Sequence, residues 1–287
     1  MSILPRYTKQ AMSIEEQIKL LQSRGLIIDN YNEAVHYLNN ISYYHISGYL
    51  KPFQDKNDDF RKDTKFTDIL ELYFFDRKLR LIFLNAIERI EKSFKTQFIL
   101  HLSTKYGADC VLKENFFVPN LKKIDENLKT SKEPFIRAFK KKYSNKYPPL
   151  WMIAETLSFG DILSIYAYSI PTEDKKAISV FYGMGWKHLN SWLENLREVR
   201  NICAHYSRLW NRRISKNIMN SDLYSDFTYK NHIYDSIIAT QILLNIVSPS
   251  YEFLDEITAI IKEYNIPVSI MGFSDNWEET FINLTKI

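Results

Sequence analysis

Apolar residues recur along this chain at intervals of three and four, the spacing of helices that bury one face. The longest stretch covers residues 67 to about 106, without Gly or Pro, and carries Leu70, Tyr73, Phe74, Leu81, Leu84, Ile87, Ile90, Phe94 and Phe98 as its stripe. It predicts one long core helix stopped by Gly107. Upstream, Ser13 with Glu16 has the form of a capping box opening a short helix through Ile14, Ile18 and Leu21, which Gly25 ends. Asn30 with Glu33 opens a second helix through Ala34, Tyr37, Leu38 and Ile41. Segment 42–53 breaks at Gly48 and Pro52 and closes a small N-terminal helical subdomain over residues 1–60, with residues 55–65 as a charged connector. Residues 61–287 form the main helical domain, and the two together are expected as one continuous structural unit.

Further along, residues 108–147 have the pattern of a loop followed by short basic helices. Pro148-Pro149-Leu150-Trp151 restarts a helix that Gly160 ends, and another follows from Asp161 to Pro171. Residues 186–248 are again free of Gly and Pro, and predict at least two helices with a break between Asn217 and Thr228. Pro249 and Pro267 bracket a last amphipathic helix, and residues 271–277 form an aromatic plug. The expected architecture is an all-α bundle.

The composition agrees. In 287 residues, 45% of them hydrophobic, there is ample material for a core, and 7 glycines with 9 prolines are too few for a turn-rich all-β chain. Cys110 and Cys203 make neither a disulfide framework nor a ligand cluster. Residues 1–6 lack the apolar region of a signal peptide. No apolar run approaches the roughly 18 to 20 residues a spanning helix needs. A cytoplasmic protein without a membrane partner is expected. The net charge of +4 is small but unevenly spread. Lys122, Lys123, Lys129, Lys132, Arg137, Lys140, Lys141, Lys142 and Lys146 crowd one stretch, interleaved with Phe135, Phe139, Tyr143 and Tyr147. Such a cluster is either a phosphate-attracting RNA surface or a solvated helix face.

The chemistry concentrates in Arg200-Asn201-Ile202-Cys203-Ala204-His205. A guanidinium grips phosphate with a fork of donors, and an imidazole exchanges protons near neutrality. Together these tools suit cleavage of an RNA phosphodiester without a metal or cofactor. If residues 191–212 form one helix, Trp192, Leu196, Val199, Cys203, Tyr206 and Trp210 line its apolar seam. Arg197, Asn201, His205, Arg208 and Arg212 then line the opposite face, with Arg200 at the boundary. An outward pair on a convex helix lacks walls, so two copies meeting across a twofold axis would complete the cleft. The alternative is a basic face whose arginines pair with acids elsewhere. Glu88 and Glu91 form a second candidate, as carboxylates for a divalent cation, although their spacing to Lys92 and Lys95 is that of ordinary ion pairs. Asp76, Arg77, Lys78 and Arg80 have the look of surface residues, His45 and His101 of satisfied or exposed histidines, and Cys203 of a core thiol.

Taken together, several stretches resemble the Abi-like proteins of bacterial abortive-infection systems, of the AbiD and AbiF type. They are Ser13-Ile14-Glu15-Glu16-Gln17-Ile18 with Arg24-Gly25-Leu26, Ile41-Ser42-Tyr43-Tyr44 with Ser47-Gly48-Tyr49, Phe75-Asp76-Arg77-Lys78-Leu79-Arg80, and Ala86-Ile87-Glu88-Arg89-Ile90-Glu91. Pro149-Leu150-Trp151, Glu155-Thr156-Leu157-Ser158-Phe159-Gly160, the Arg200–His205 motif with Arg208-Leu209-Trp210-Asn211-Arg212, and Met271-Gly272-Phe273 with Trp277 complete the likeness. His45 departs from the Arg expected after the paired tyrosines. The resemblance implies a bundle of the HEPN ribonuclease type and a homodimer joining two motifs. It also implies metal-independent cleavage of RNA to a 2′,3′-cyclic phosphate, with Arg200, Asn201 and His205 as the catalytic residues and an RNA or protein antitoxin as a further partner. Arg197, Arg208, Arg212, Lys140, Lys141 and Lys142 are the expected RNA contacts. A non-catalytic RNA-binding or regulatory module on the same basic face is the competing expectation.

Overall fold

The computed structural model describes residues 10–228 and 231–285, so the reading of residues 1–6 lies outside it. The protein is all-α, with fourteen α-helices among the described residues. The chain divides into two compact units, Met1–Lys78 and Leu79–Ile287.

The first unit holds α1 (Ile14–Ser23), α2 (Tyr31–Asn40), α3 (Tyr43–Leu50) and the start of α4 (Phe66–Tyr106). The predicted capping box is formed: Ser13 N–H donates to Glu16 Oε2 at 2.7 Å and Glu16 N–H to Ser13 Oγ at 3.2 Å. Asn30 Oδ1 caps α2 through Glu33 N–H at 3.1 Å. Gly48 does not break the next segment. It lies within α3, whose start Ser42 caps through His45 N–H. Residues 55–65 fold back on the turn after α1, with Phe60 N–H donating to Arg24 O at 2.7 Å and Ile27 N–H to Thr64 O at 2.9 Å.

α4 stops at Gly107 as its sequence predicts. Its buried line is Leu72, Phe75, Leu79, Phe83, Ala86, Ile90, Phe94, Phe98 and Leu102. That line corrects two expectations. Leu81 is 52% exposed, whereas Asp76 and Arg80, taken for surface residues, are buried. Tyr49, also fully buried, donates its hydroxyl proton to Asp76 Oδ2 at 2.6 Å, so a hydrogen bond offsets the cost of burying that carboxylate.

The second unit continues through α5 (Cys110–Lys113), α6 (Leu121–Thr130), α7 (Pro134–Lys142), α8 (Leu150–Thr156), α9 (Phe159–Ser164) and α10 (Thr172–Val180). It ends with α11 (Trp186–Ala204), α12 (Ile233–Val247), α13 (Phe253–Tyr264) and α14 (Trp277–Leu284). α12 is buried at every residue from Ile233 to Leu244, the signature of a central helix. It packs against α11, α13 and α14, and α11 packs in turn against α9 and α10. Gly160, expected to end a helix, instead sits inside α9. α8 has already stopped, and Ser158 with Asp161 forms a new capping box. The aromatic plug is present: Phe273 stacks edge-on to Trp277 at 5.4 Å and lies 4.8 Å from Tyr234. No helix among the described residues is long and apolar enough to cross a membrane.

Candidate functional site

α11 is where expectation and structure part most usefully. Its core seam is as predicted through Trp192, Leu196, Val199 and Cys203, all buried. The helix then ends at Ala204 rather than running to residue 212. His205 is its C-cap, and Tyr206 takes a left-handed conformation with φ 57°. Ser207 N–H donates to Ile202 O at 3.0 Å and Tyr206 N–H to Cys203 O at 3.1 Å, the paired bonds of a Schellman stop. A non-glycine residue at that position costs on the order of 1–2 kcal/mol, and with Tyr206 in the place a glycine usually takes the sequence shows no stop signal there. Tyr206, assigned to the apolar seam, is consequently 74% exposed, whereas Trp210 is buried from a position beyond the helix.

The chain then doubles back along α11. Ser191, Trp192, Asn195 and Glu198 fall at offsets of one, four and seven and share one face of the helix. Trp192 Nε1 donates to Met219 O at 2.8 Å, and Asn195 Nδ2 to Lys216 O at 2.6 Å. Ser191 Oγ accepts from Met219 N–H at 2.9 Å. The Glu198 carboxylate accepts Ser215 N–H at 2.8 Å, Ser215 Oγ–H at 2.7 Å and Lys216 N–H at 3.0 Å. Asn195 is itself buried and fixed by Ser236 Oγ–H at 2.7 Å. The 214–219 strap is thus tied to α11 by side chains of the helix itself.

Between strap and helix end lies an open groove of about 300 Å³. Arg197, Asn201, His205 and Arg212 line it, with Glu198, Ser215 and Lys216 from the clamp. Four of the predicted site residues therefore meet, but Arg212 arrives on the segment leading into the strap rather than along a continuous helix. His205 is exposed, and its ring has no hydrogen-bond partner among the described residues. Arg197 is held by Glu194 through Nε at 3.0 Å and Nη2 at 2.7 Å.

Arg200 stands beside the groove rather than in its lining. Its Nε lies 3.7 Å from Glu91 Oε2 and its Nη1 3.4 Å from Asn201 Oδ1. Burial pushes the Glu91 carboxyl above its usual pKa, against the pull of Arg200 and Lys95. The expected Glu91–Lys95 pair is not made: Lys95 reaches Glu155 at 3.7 Å, while Glu88 does pair with Lys92 at 2.9 Å.

Arg208 is half-buried just past the helix end and does not line the groove. Nor do Lys140, Lys141 and Lys142, all exposed at the end of α7. Lys140 Nζ donates to Leu128 O at 2.7 Å, and Lys142 Nζ lies 5.3 Å from the Tyr143 ring centroid. Cys203 is buried, as expected of a core thiol. His101 is satisfied by Asp174 at 2.7 Å. Sequence reasoning missed Glu198, Ser215 and Lys216, because partners seventeen and more residues apart leave no local signal.

The family model for Abi-like proteins matches residues 36–211, a span that contains the Arg200–His205 motif, the Tyr49–Asp76 pair and Glu91. The chain belongs to the Abi-like protein family. No curated protein and no solved structure matches it. In this Abi-like protein the matched span stops before the 214–219 strap, so the wall carrying Ser215 and Lys216 lies beyond the family's matched region. Membership points to abortive-infection defence as the setting.

Proposed function

We propose that this Abi-like protein is a metal-independent endoribonuclease of the HEPN type, acting in a phage-defence system in the cytoplasm. The observation that carries the reading is the gathering of His205, Asn201, Arg197 and Arg212 around one open groove beside Arg200. A proton-transfer group and phosphate-binding donors converge there, with room for a chain to enter from solvent.

In the proposed reaction the 2′-hydroxyl oxygen attacks the adjacent phosphorus and the bond to the 5′-oxygen breaks. One imidazole removes the 2′-hydroxyl proton and another protonates the departing oxygen, leaving a 2′,3′-cyclic phosphate and a 5′-hydroxyl. Arg200 stabilises the charge that builds on the equatorial oxygens, and Asn201 orients the phosphate or the ring. Because one chain turns Arg200 toward Glu91 and His205 toward the groove, a second copy across a twofold axis is needed to bring both tools to one phosphate. RNA is then the substrate, a homodimer the active form, and an RNA or protein antitoxin the restraint.

The test is a gel of labelled single-stranded RNA with purified protein, with and without EDTA. Wild type is expected to cut regardless of chelator and to leave DNA intact, and His205→Ala and Arg200→Ala to lose at least about 100-fold in rate while remaining folded. Cleavage retained by His205→Ala, or abolished by EDTA, refutes the scheme. Shifted but uncut RNA would instead support the binding-module reading, which the engagement of Arg200 by Glu91 favours.

A further inference from the structure

The groove at His205 has a larger neighbour of about 640 Å³ on the α9 side of α11. Arg197 and Lys216 line both, so the two share a cationic boundary. Gly160 permits this arrangement. A Cβ there would sit 3.3 Å from Arg197 Cδ and 3.7 Å from Nη1, so the bare backbone lets the guanidinium lie against α9. Glu194 then fixes its orientation through two hydrogen bonds.

Two features of the second groove lack a use within the fold. Tyr168, on its wall, is 84% exposed. Asn190 Oδ1, also on its wall, is buried without a hydrogen-bond partner among the described residues. A buried acceptor left unmet costs roughly 1–3 kcal/mol unless a ligand or water supplies a donor.

Tyr168 stands on a braced backbone. It belongs to the π-helical turn Ile165–Ser169, a rare widened turn that recurs at functional sites. The turn closes through Ile170 N–H to Ile165 O at 3.1 Å. Lys175 Nζ donates to Ala167 O at 2.6 Å, and Asn120 Nδ2 to Ser169 Oγ at 2.7 Å. Tyr166, two residues earlier, is buried and donates to Lys175 O at 3.1 Å. The inward ring anchors the turn and the outward one is presented to solvent from a braced backbone.

We propose that this second groove is a nucleotide subsite for single-stranded RNA: the base next to the cut stacks on Tyr168, and a base N–H or ribose O–H fills Asn190 Oδ1. The proposal rests on RNA being the ligand of the His205 groove. Charge sets the order of parts along the path. The Asp161 carboxylate repels a phosphate inside this groove, so the linking phosphate sits at the shared edge with Arg197 and Lys216 and the uncharged base and ribose lie beyond. Stacking on an exposed tyrosine needs a base free of its own partner, hence single strands rather than duplex.

The test measures binding separately from cleavage. Full-length protein carrying His205→Ala, so that RNA survives, is titrated into a fluorescent single-stranded oligoribonucleotide and into the same backbone with abasic sugars. Adding Tyr168→Ala is expected to weaken binding of the base-bearing strand roughly tenfold and to leave the abasic strand unchanged, whereas Tyr168→Trp keeps the affinity. Sedimentation is run alongside, and the oligomeric state is expected to be the same in all variants. The proposal is overturned by an equal effect on both strands, by no effect, or by no preference of the starting protein for base-bearing RNA. A Tyr168→Ala change that dissociates the oligomer also overturns it, since the ring then faces a protein. A base-dependent Tyr168 effect in a protein that never cuts RNA would sink the nuclease reading and leave the subsite standing.

Discussion

Glu198 should control the groove without touching RNA. Its carboxylate holds three donors of the strap, Ser215 N–H, Ser215 Oγ–H and Lys216 N–H, at 2.7–3.0 Å. In Glu198→Ala those donors turn to water, because Ser215 and Lys216 are exposed, so no buried group is orphaned. Each lost bond is then worth about 0.5 kcal/mol, the lower end of the range, and the three together about 1.5 kcal/mol. Since about 1.4 kcal/mol is tenfold in an equilibrium constant, local opening of the strap should become roughly ten times more frequent. The assay is amide hydrogen exchange of residues 214–219, with the midpoint of thermal unfolding followed in parallel. Exchange at Ser215 and Lys216 should accelerate about tenfold while the midpoint falls by only about 3–5 °C. The strap keeps its Asn195 and Trp192 ties, so it loosens rather than detaches. Unchanged exchange at both amides would show that the carboxylate is not the clamp.

Two further outcomes concern a buried carboxylate and a close backbone approach. Asp174 is fully buried and accepts from His101 Nε2, Lys105 Nζ and Tyr106 OH at 2.6–2.7 Å. Burial pulls its pKa up, but Lys105, His101 and Tyr106 outweigh it and hold the carboxyl below its ordinary value. A carboxyl depressed on folding stabilises above its unfolded pKa of about 3.9, and loses that contribution as pH falls through the folded value. Asp174→Asn should cost about 2–3 kcal/mol near neutrality, with the share of half-exposed Lys105 discounted. Urea midpoints should show a gap from wild type that is flat from about pH 8 to 5 and narrows below about pH 4; a gap that widens in acid contradicts the assignment. Gly272 has φ 88°, and a Cβ there would lie 2.5 Å from His232 Cβ, which cannot swing away. Gly272→Ala should therefore cost about 3 kcal/mol and lower the unfolding midpoint by roughly 6–10 °C; an unchanged midpoint would remove the close approach as a constraint.

What local sequence determined is what local physics sets. Period and the absence of breakers determine α4, because an unbroken stripe has no cheaper way to bury itself. Ser13 with Glu16 and Asn30 with Glu33 determine two helix starts, because a cap is satisfied within one turn. The core seam of α11 through Cys203 and the outward placement of His205 were legible for the same reason.

Tertiary structure decided the rest. α11 ends at Ala204 although no glycine marks the place, because the side chains of Ser191, Trp192, Asn195 and Glu198 hold a returning strap that a longer helix would carry away. Asp76 is charged and sits within a charged run, yet it is interior, since Tyr49, twenty-seven residues earlier, supplies the donor that makes its burial tolerable. Whether a polar residue faces water depends on a partner that only folding brings near: Tyr49 for Asp76, and the returning strap for Asn195 and Glu198, where it also gives the groove its second wall.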